Sequence, residues 1–229
     1  MNSKQSKFLK KLLETYGPSG NEEDIRNIIR DEIQNYVTET RIDKMGNLIA
    51  IKKGTGPKIM IASHMDEIGI IITGIDKNGF LRFSNVGGVS PYASLGQRVL
   101  FRDGTSGAIG IEDLDSMKDL KLSKLYVDIG AQTKKEAAQK ICIGDMACFY
   151  QPTAFLDKNI ISKGLDDRIG CFVAIETLKK IKPSSNELYF VFTVQEELGL
   201  RGAKTAAYEL NPDIGISIDV TATGDTPKA

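Results

Sequence analysis

The stretch that decides the fold class spans residues 58–70 and reads Lys58-Ile59-Met60-Ile61-Ala62-Ser63-His64-Met65-Asp66-Glu67-Ile68-Gly69-Ile70. Residues 58–62 form a short, largely apolar run, which is typical of a strand buried on both faces of a sheet. Polar groups follow directly, beginning with His64 and Asp66. A strand of this kind favours an α/β fold, in which helices cover the sheet.

Two later apolar runs also end in acidic residues. Residues 188–194 lead to Gln195-Glu196-Glu197, and residues 214–218 lead to Asp219. Ligands of open α/β sheets gather outside the carboxyl ends of the strands. If the three strands are parallel neighbours, the side chains that meet at one edge are those of His64, Asp66, Glu196, Glu197 and Asp219. Asp166, at the start of a helix pattern, could join them.

The remaining pattern predicts a mostly parallel sheet flanked by helices and interrupted by a small β-rich insert. Residues 4–15, 25–36 and 169–178 place apolar side chains at helical spacing. Residues 37–53 favour a hairpin that turns at Met45-Gly46-Asn47, and residues 70–161 alternate strand-sized pieces with glycine-rich turns. We therefore expect a discontinuous α/β catalytic domain of residues 1–69 and 162–229 around a β-rich domain of residues 70–161. So few strands make an incomplete sheet, so we expect the C-terminal part of the domain to be missing.

Between the first two helix patterns, Ser19 is followed three residues later by Glu22. This spacing is that of a capping box, in which the two side chains satisfy backbone amides at a helix start. We expect these residues to begin the second helix.

Composition excludes several classes of protein. The 229 residues include 30 basic and 30 acidic side chains, so the formal net charge is zero and gives no general attraction to nucleic acid or anionic lipid. No apolar run approaches the ~18–20 residues that cross a bilayer, and the polar N-terminus is unlike a secretory signal. The three cysteines lack metal-type spacing, which predicts free thiols in a reducing, cytoplasmic setting.

The acidic groups at the strand ends predict a metal site. Carboxylates this close together repel one another unless cations lie between them. Imidazole with carboxylates suits Zn, Co or Mn better than Ca or Mg, and this ligand number suits a pair of ions ~3.5–4 Å apart. Neighbouring residues of an extended segment point to opposite sides, so one of Glu196 and Glu197 can bind metal while the other acts as general base. Asp66 points the same way as His64 and can orient the ligands.

Each residue also has a purely structural interpretation. His64 could be a structural histidine, and the two glutamates could be a solvated helix start. Asp166 could cap a helix, and Asp219 could be a turn residue. The common position at strand ends favours the metal site over this set of coincidences.

Five segments of the chain together resemble the tetrahedral and glutamyl aminopeptidase family of dinuclear metallopeptidases. They appear in the family's order and cover almost the whole chain. The segments are Gly17-Pro18-Ser19-Gly20-Asn21-Glu22-Glu23, Ala62-Ser63-His64-Met65-Asp66-Glu67-Ile68-Gly69, Gly164-Leu165-Asp166-Asp167-Arg168-Ile169-Gly170, Val194-Gln195-Glu196-Glu197-Leu198-Gly199-Leu200-Arg201-Gly202-Ala203 and Ile218-Asp219-Val220-Thr221.

The resemblance implies a role for each residue of the expected site. His64 and Asp219 would bind one divalent metal ion, Glu197 the other, and Asp166 would bridge the two. Glu196 would be the general base and Asp66 a supporting catalytic acid. The metals would be Zn or Co, with Mn as a further option. The β-rich insert would be a dimerisation domain, because the family builds homo-oligomers from dimers, up to dodecamers.

In one respect the sequence departs from the family, which binds its second metal with another histidine near the end of a longer chain. His64 is the only histidine here, so the second site is expected to be incomplete, whether the chain is a fragment or a naturally short product. The leading hypothesis is an aminopeptidase that cleaves N-terminal residues from short peptides, with Glu196 as base on a metal-bridged water. The alternatives are an inactive or regulatory oligomerisation subunit and, third, a glycosidase that uses paired carboxylates.

Overall fold

The computed structural model describes residues 1–227; Lys228 and Ala229, which end the expected segment 162–229, lie outside the described residues. The helices are α1 (Ser3–Glu14), α2 (Glu23–Ile33), α3 (Pro91–Ser94), α4 (Lys134–Ala138), α5 (Leu165–Lys180) and α6 (Arg201–Leu210). The strands are β1 (Glu39–Ile42), β2 (Leu48–Lys52), β3 (Lys58–His64), β4 (Gly69–Ile75), β5 (Leu81–Val86), β6 (Arg98–Phe101), β7 (Ser106–Ile111), β8 (Leu125–Asp128), β9 (Met146–Phe149), β10 (Ala154–Phe155), β11 (Ile160–Ile161), β12 (Glu187–Thr193) and β13 (Ile214–Ser217). None of the helices within residues 1–227 is both long and apolar enough to cross a membrane.

The main sheet is mixed, with strand order β1-β2-β12-β3-β13. β12 and β13 pair with β3 in parallel, whereas β2 pairs antiparallel with both β1 and β12. The expectation of a mostly parallel sheet is therefore corrected to a parallel centre extended by an antiparallel hairpin. The hairpin of β1 and β2 occurs where the sequence predicted it, but it adds to the edge of β12 that β3 leaves free.

The parallel centre brings the ends of three strands to one edge. In the register of the sheet, Thr193 lies opposite His64, and Ser217 lies opposite Ala62. The segments that leave β3, β12 and β13 therefore emerge side by side, as expected for ligand-binding residues of an α/β sheet.

Helices cover both faces of the sheet. On one face, α1, α2 and α5 pack onto β2, β3 and β12, and Ile29, Ala174 and Phe190 are among the fully buried contacts. On the other face, α6 places Ala206 and Leu210 against the sheet. Each large apolar side chain buried this way contributes roughly 1.5–3 kcal/mol to folding stability. The packed core therefore holds the strands that bear the polar groups in fixed positions.

The strands β4 to β9 close into a six-stranded barrel in the order β4-β5-β8-β7-β6-β9, with its own apolar core. Closure leaves no exposed strand edges in the barrel. β4 begins at Gly69, only five residues after His64, where the chain passes close to two neighbours. A Cβ at position 69 would lie 2.6 Å from the carbonyl oxygen of Ala147 and 2.9 Å from Cβ of Pro18. Glycine at this position therefore lets the barrel lie beside the functional edge of the sheet.

Candidate metal centre and its supporting residues

His64 ends β3 and is buried, with 3% of its side chain exposed. Its Nδ1 lies 3.1 Å from the backbone carbonyl oxygen of Asp66. Because a carbonyl only accepts hydrogen bonds, Nδ1 donates, and the other ring nitrogen is left to face the site. A metal-binding histidine is commonly oriented by such a bond. Nε2 lies 2.9 Å from Oδ1 of Asp166.

Three residues from distant parts of the chain offer ligand atoms to one point. One atom each from His64, Asp166 and Asp219 lies within 4.8 Å of the others. The carboxylate of Glu196 is 3.8 Å from His64 Nε2, and Glu197 lines the same cavity as Asp166. The structure thus brings the residues expected at this edge into one region.

The electrostatics of this cluster fit a bound cation. Burial and the neighbouring carboxylate of Asp166 raise the pKa of Glu197 to about 7, and burial also raises the pKa of Glu196. Burial favours the neutral ring of His64, but the surrounding acids, led by Asp66, outweigh it and raise the pKa of His64 to about 10. His64 is the cationic group that faces these carboxylates. A divalent ion among them would stabilise their charged forms. One imidazole with several carboxylates is a donor set suited to such an ion.

Asp66 supports the acidic pair through their backbone. Its side chain is fully buried, and its two carboxylate oxygens accept hydrogen bonds from the amides of Glu196 (3.1 Å) and Glu197 (3.2 Å). Burial opposes ionisation of Asp66, but the bonds from His64 and from the backbone lower its pKa. Asp66 therefore stays charged and fixes where the two glutamates begin.

Sequence reasoning missed the role of Glu22. The expected capping box is absent at the start of α2, where Glu22 makes no side-chain cap bond. Its Oε1 instead accepts from the amides of Gly20 (2.6 Å) and Gln195 (3.1 Å). Gln195 is in the left-handed region with φ of 53°. Since Asp66 takes the next two amides, two buried carboxylates hold three successive backbone N–H groups of the segment that bears Glu196.

Asp167 was also missed, although it is adjacent to Asp166. Asp166 is largely exposed and faces the site, whereas Asp167 is fully buried and accepts from the amides of His64 (3.2 Å) and Gly170 (3.1 Å). A Cβ at position 170 would lie 2.3 Å from Oδ1 of Asp167, so glycine is required there. Burial raises the pKa of Asp167 to about 7. This acid links α5 to the end of β3.

A buried ion cluster of Glu67, Lys163 and Arg168 lies next to the site, because Glu67 and Lys163 line the same cavity as Asp166. Lys163 Nζ is 2.7 and 2.9 Å from the two oxygens of Glu67, and Arg168 is 3.0 Å from Oε1. Arg168 also donates to the carbonyls of Met65 and Leu12. The cluster thereby ties the exit of β3 to the end of α1 and the start of α5.

Comparison with known proteins gives these residues a family context. Residues 46–229 match the M42 glutamyl aminopeptidase family. A provisionally named aminopeptidase of Acetivibrio thermocellus is 55% identical over 223 residues, which are 97% of this chain and 68% of that protein.

Solved structures of aminopeptidases are similar to this chain over nearly its whole length. Aminopeptidase APDkam598 of Desulfurococcus kamchatkensis superimposes with a TM-score of 0.94 at 39% identity, covering 99% of this chain and 65% of that one. The TET1 peptidase of Pyrococcus horikoshii, described as assembling into a tetrahedron or a large octahedral shell, gives a TM-score of 0.86 at 36% identity and covers 97% of this chain and 72% of that one. The chain thus spans about two-thirds of the length of these proteins. With the family match over residues 46–229, these similarities show that the chain belongs to the M42 glutamyl aminopeptidase family.

Proposed function

We propose that this chain forms the metal-binding and general-base part of an aminopeptidase that removes N-terminal residues from short peptides. The observation that carries the proposal is the convergence of His64, Asp166 and Asp219 within 4.8 Å, with Glu196 beside them. The family match and the aminopeptidase names of the relatives support the reaction class.

In this proposal each residue of the site keeps the role that the family resemblance implies. His64 and Asp219 would hold one cation and Glu197 a second, and Asp166 would serve both. The cations would be Zn or Co, with Mn as a further option, and their chemistry at this site would be Lewis acidity toward the peptide carbonyl and toward water. Glu196, whose pKa burial raises, takes the proton of the attacking water and returns it to the leaving amine as the C–N bond breaks. Asp66 holds the backbone of both glutamates during these transfers.

Metal removal tests the proposal. We expect the chain to hydrolyse amino-acid amides when loaded with Co or Zn, to lose this activity in EDTA and to regain it when metal is restored. Elemental analysis should find one firmly held ion per chain and a second that dissociates more readily, because carboxylates alone would hold it. A glycosidase would instead remain active on its glycoside substrates in EDTA, and a regulatory subunit would bind metal without turnover.

The bond from the Gln195 amide to Glu22 gives a second prediction. Glu22→Ala should cost about 1 kcal/mol of folding stability, because it removes the acceptor of two partly buried amides. It should also lower kcat, since the Glu196 segment loosens. Glu22→Gln keeps an oxygen acceptor and should behave nearly as the unmodified protein does. Urea denaturation and amide hydrogen exchange at residues 195–197 provide the measurements. Equal protection in both variants would contradict the role of Glu22.

The proposal extends to assembly and setting. The TET1 peptidase is described as a self-assembling shell, so we propose that this chain forms homo-oligomers from dimers. Residues 70–161 would act as the dimerisation domain, as the family resemblance implies, and their exposed apolar side chains include Tyr92, Met117 and Ile143. Peptide would be the substrate, and a cytoplasmic setting stays a prediction from the free cysteines.

A further inference from the structure

A cavity of about 530 Å³ lies between the barrel and the start of α5. Its size is within the ~300–1,000 Å³ that is typical of small-ligand sites. Asp166 and Glu197 belong to its wall, so the cavity is continuous with the candidate metal centre. A peptide whose first carbonyl lies at that centre could place its first side chain here.

The wall of the cavity away from the acids is mostly neutral. Apolar contacts come from both sides, with Val89, Ala93 and Phe149 contributed by the barrel region, and Ile68 and Leu165 by the segments next to the site. The other polar groups of this wall include serine and glutamine side chains, which carry no charge.

Lys163 is the one basic residue lining the cavity within residues 1–227, and its ammonium group is fully engaged. An ammonium has three N–H donors. They are matched by the two oxygens of Glu67 at 2.7 and 2.9 Å and by the carbonyl of Thr15 at 3.1 Å. Lys163 therefore has no donor left for a carboxylate that enters the cavity.

An acidic side chain in this cavity would lose part of its water, and the wall offers it no free counter-charge because Glu67 already neutralises Lys163. Burial of an unpaired charge is strongly unfavourable. A neutral apolar side chain meets no such penalty and gains contacts with Phe149 and its neighbours. The two classes of side chain should therefore bind with clearly different affinities.

We propose that this cavity receives the side chain of the substrate's N-terminal residue and selects neutral apolar residues over acidic ones. The inference rests on the proposed aminopeptidase function. It assigns this chain a preference opposite to the glutamyl activity in the name of its family.

Binding without turnover tests the inference. The probes are leucinamide, glutaminamide and the α-amide of glutamic acid, of which the last two differ almost only in charge. We expect the Co-loaded Glu196→Gln chain to bind leucinamide at least ten-fold more tightly than the glutamic acid amide in calorimetry, with glutaminamide between them. Equal or tighter binding of the glutamic acid amide, or no binding of any probe, would overturn the inference.

A variant pair locates the preference. Gln97 lines the cavity, and Gln97→Arg would supply the missing cation, so the affinity for the glutamic acid amide should rise at least ten-fold. Gln139→Arg makes the same change on the exposed end of α4 and should leave all three affinities unchanged. Identical behaviour of the two variants would show that the side chain binds elsewhere. Failure of the proposed function would appear separately, as absence of hydrolysis of every amide by the unmodified, metal-loaded chain.

Discussion

Glu196→Gln is expected to lower kcat by about 10²–10⁴-fold, the usual contribution of a positioned general base. The amide is nearly the same size but cannot take a proton from water. The backbone of residue 196 still donates to Asp66 at 3.1 Å, so the variant should fold normally. Metal content per chain should also stay near that of the unmodified protein, because Glu196 is not among the proposed ligands.

Two further variants make this result specific. Glu197→Gln should lower both turnover and the amount of bound metal, since Glu197 is a proposed ligand. Glu209→Gln changes a surface glutamate that pairs with Arg41 and should leave both quantities unchanged. Full activity of Glu196→Gln, measured by initial rates on leucinamide, would refute the assignment of the base.

Arg168→Met is expected to cause the largest loss of folding stability. Breaking a buried ion pair costs about 3–5 kcal/mol, and Arg168 is fully buried between Glu67 and the backbone carbonyls of α1. Lys163 still neutralises Glu67 in this variant, so we expect a value near the lower end of that range. Urea denaturation should show the loss as a lower midpoint with an unchanged slope.

An exposed arginine provides the matched control. Arg102 is 47% exposed and pairs with Glu23 and Asp24 at 2.8 Å. Because surface ion pairs contribute only about 0–1 kcal/mol, Arg102→Met should shift the midpoint little. Equal losses from the two variants would mean that burial of the Glu67, Lys163 and Arg168 cluster contributes nothing beyond surface pairing.

The hairpin of β1 and β2 could be predicted from the sequence, but its place in the sheet could not. Its strands and its turn near Gly46 follow from local signals, and both occur in the structure. Its partner, β12, is more than a hundred residues away along the chain. No local pattern states which strand edge the hairpin will join, so the sheet became mixed where a mostly parallel one was expected.

Local patterns likewise predicted some residues of the site and not others. His64, Asp166 and Asp219 could be predicted to meet because each follows a strand or begins a helix, and such positions share one edge of an α/β sheet. Glu22 could not, because its partner Gln195 is 173 positions away and its spacing from Ser19 suggested a helix cap. Asp167 could not be distinguished from Asp166 by residue type, although one side chain is buried and the other is largely exposed.

Local patterns along this chain were sufficient to predict strands that end in acids, an interrupted α/β architecture and a set of candidate metal ligands, because apolar periodicity and strand-end residues are properties of neighbouring positions. Folding in three dimensions decided which amides Asp66 and Glu22 hold, how Lys163 is neutralised and what lines the cavity. These features depend on contacts between segments far apart in the chain, where burial and charge pairing, rather than residue type, set the role of each carboxylate.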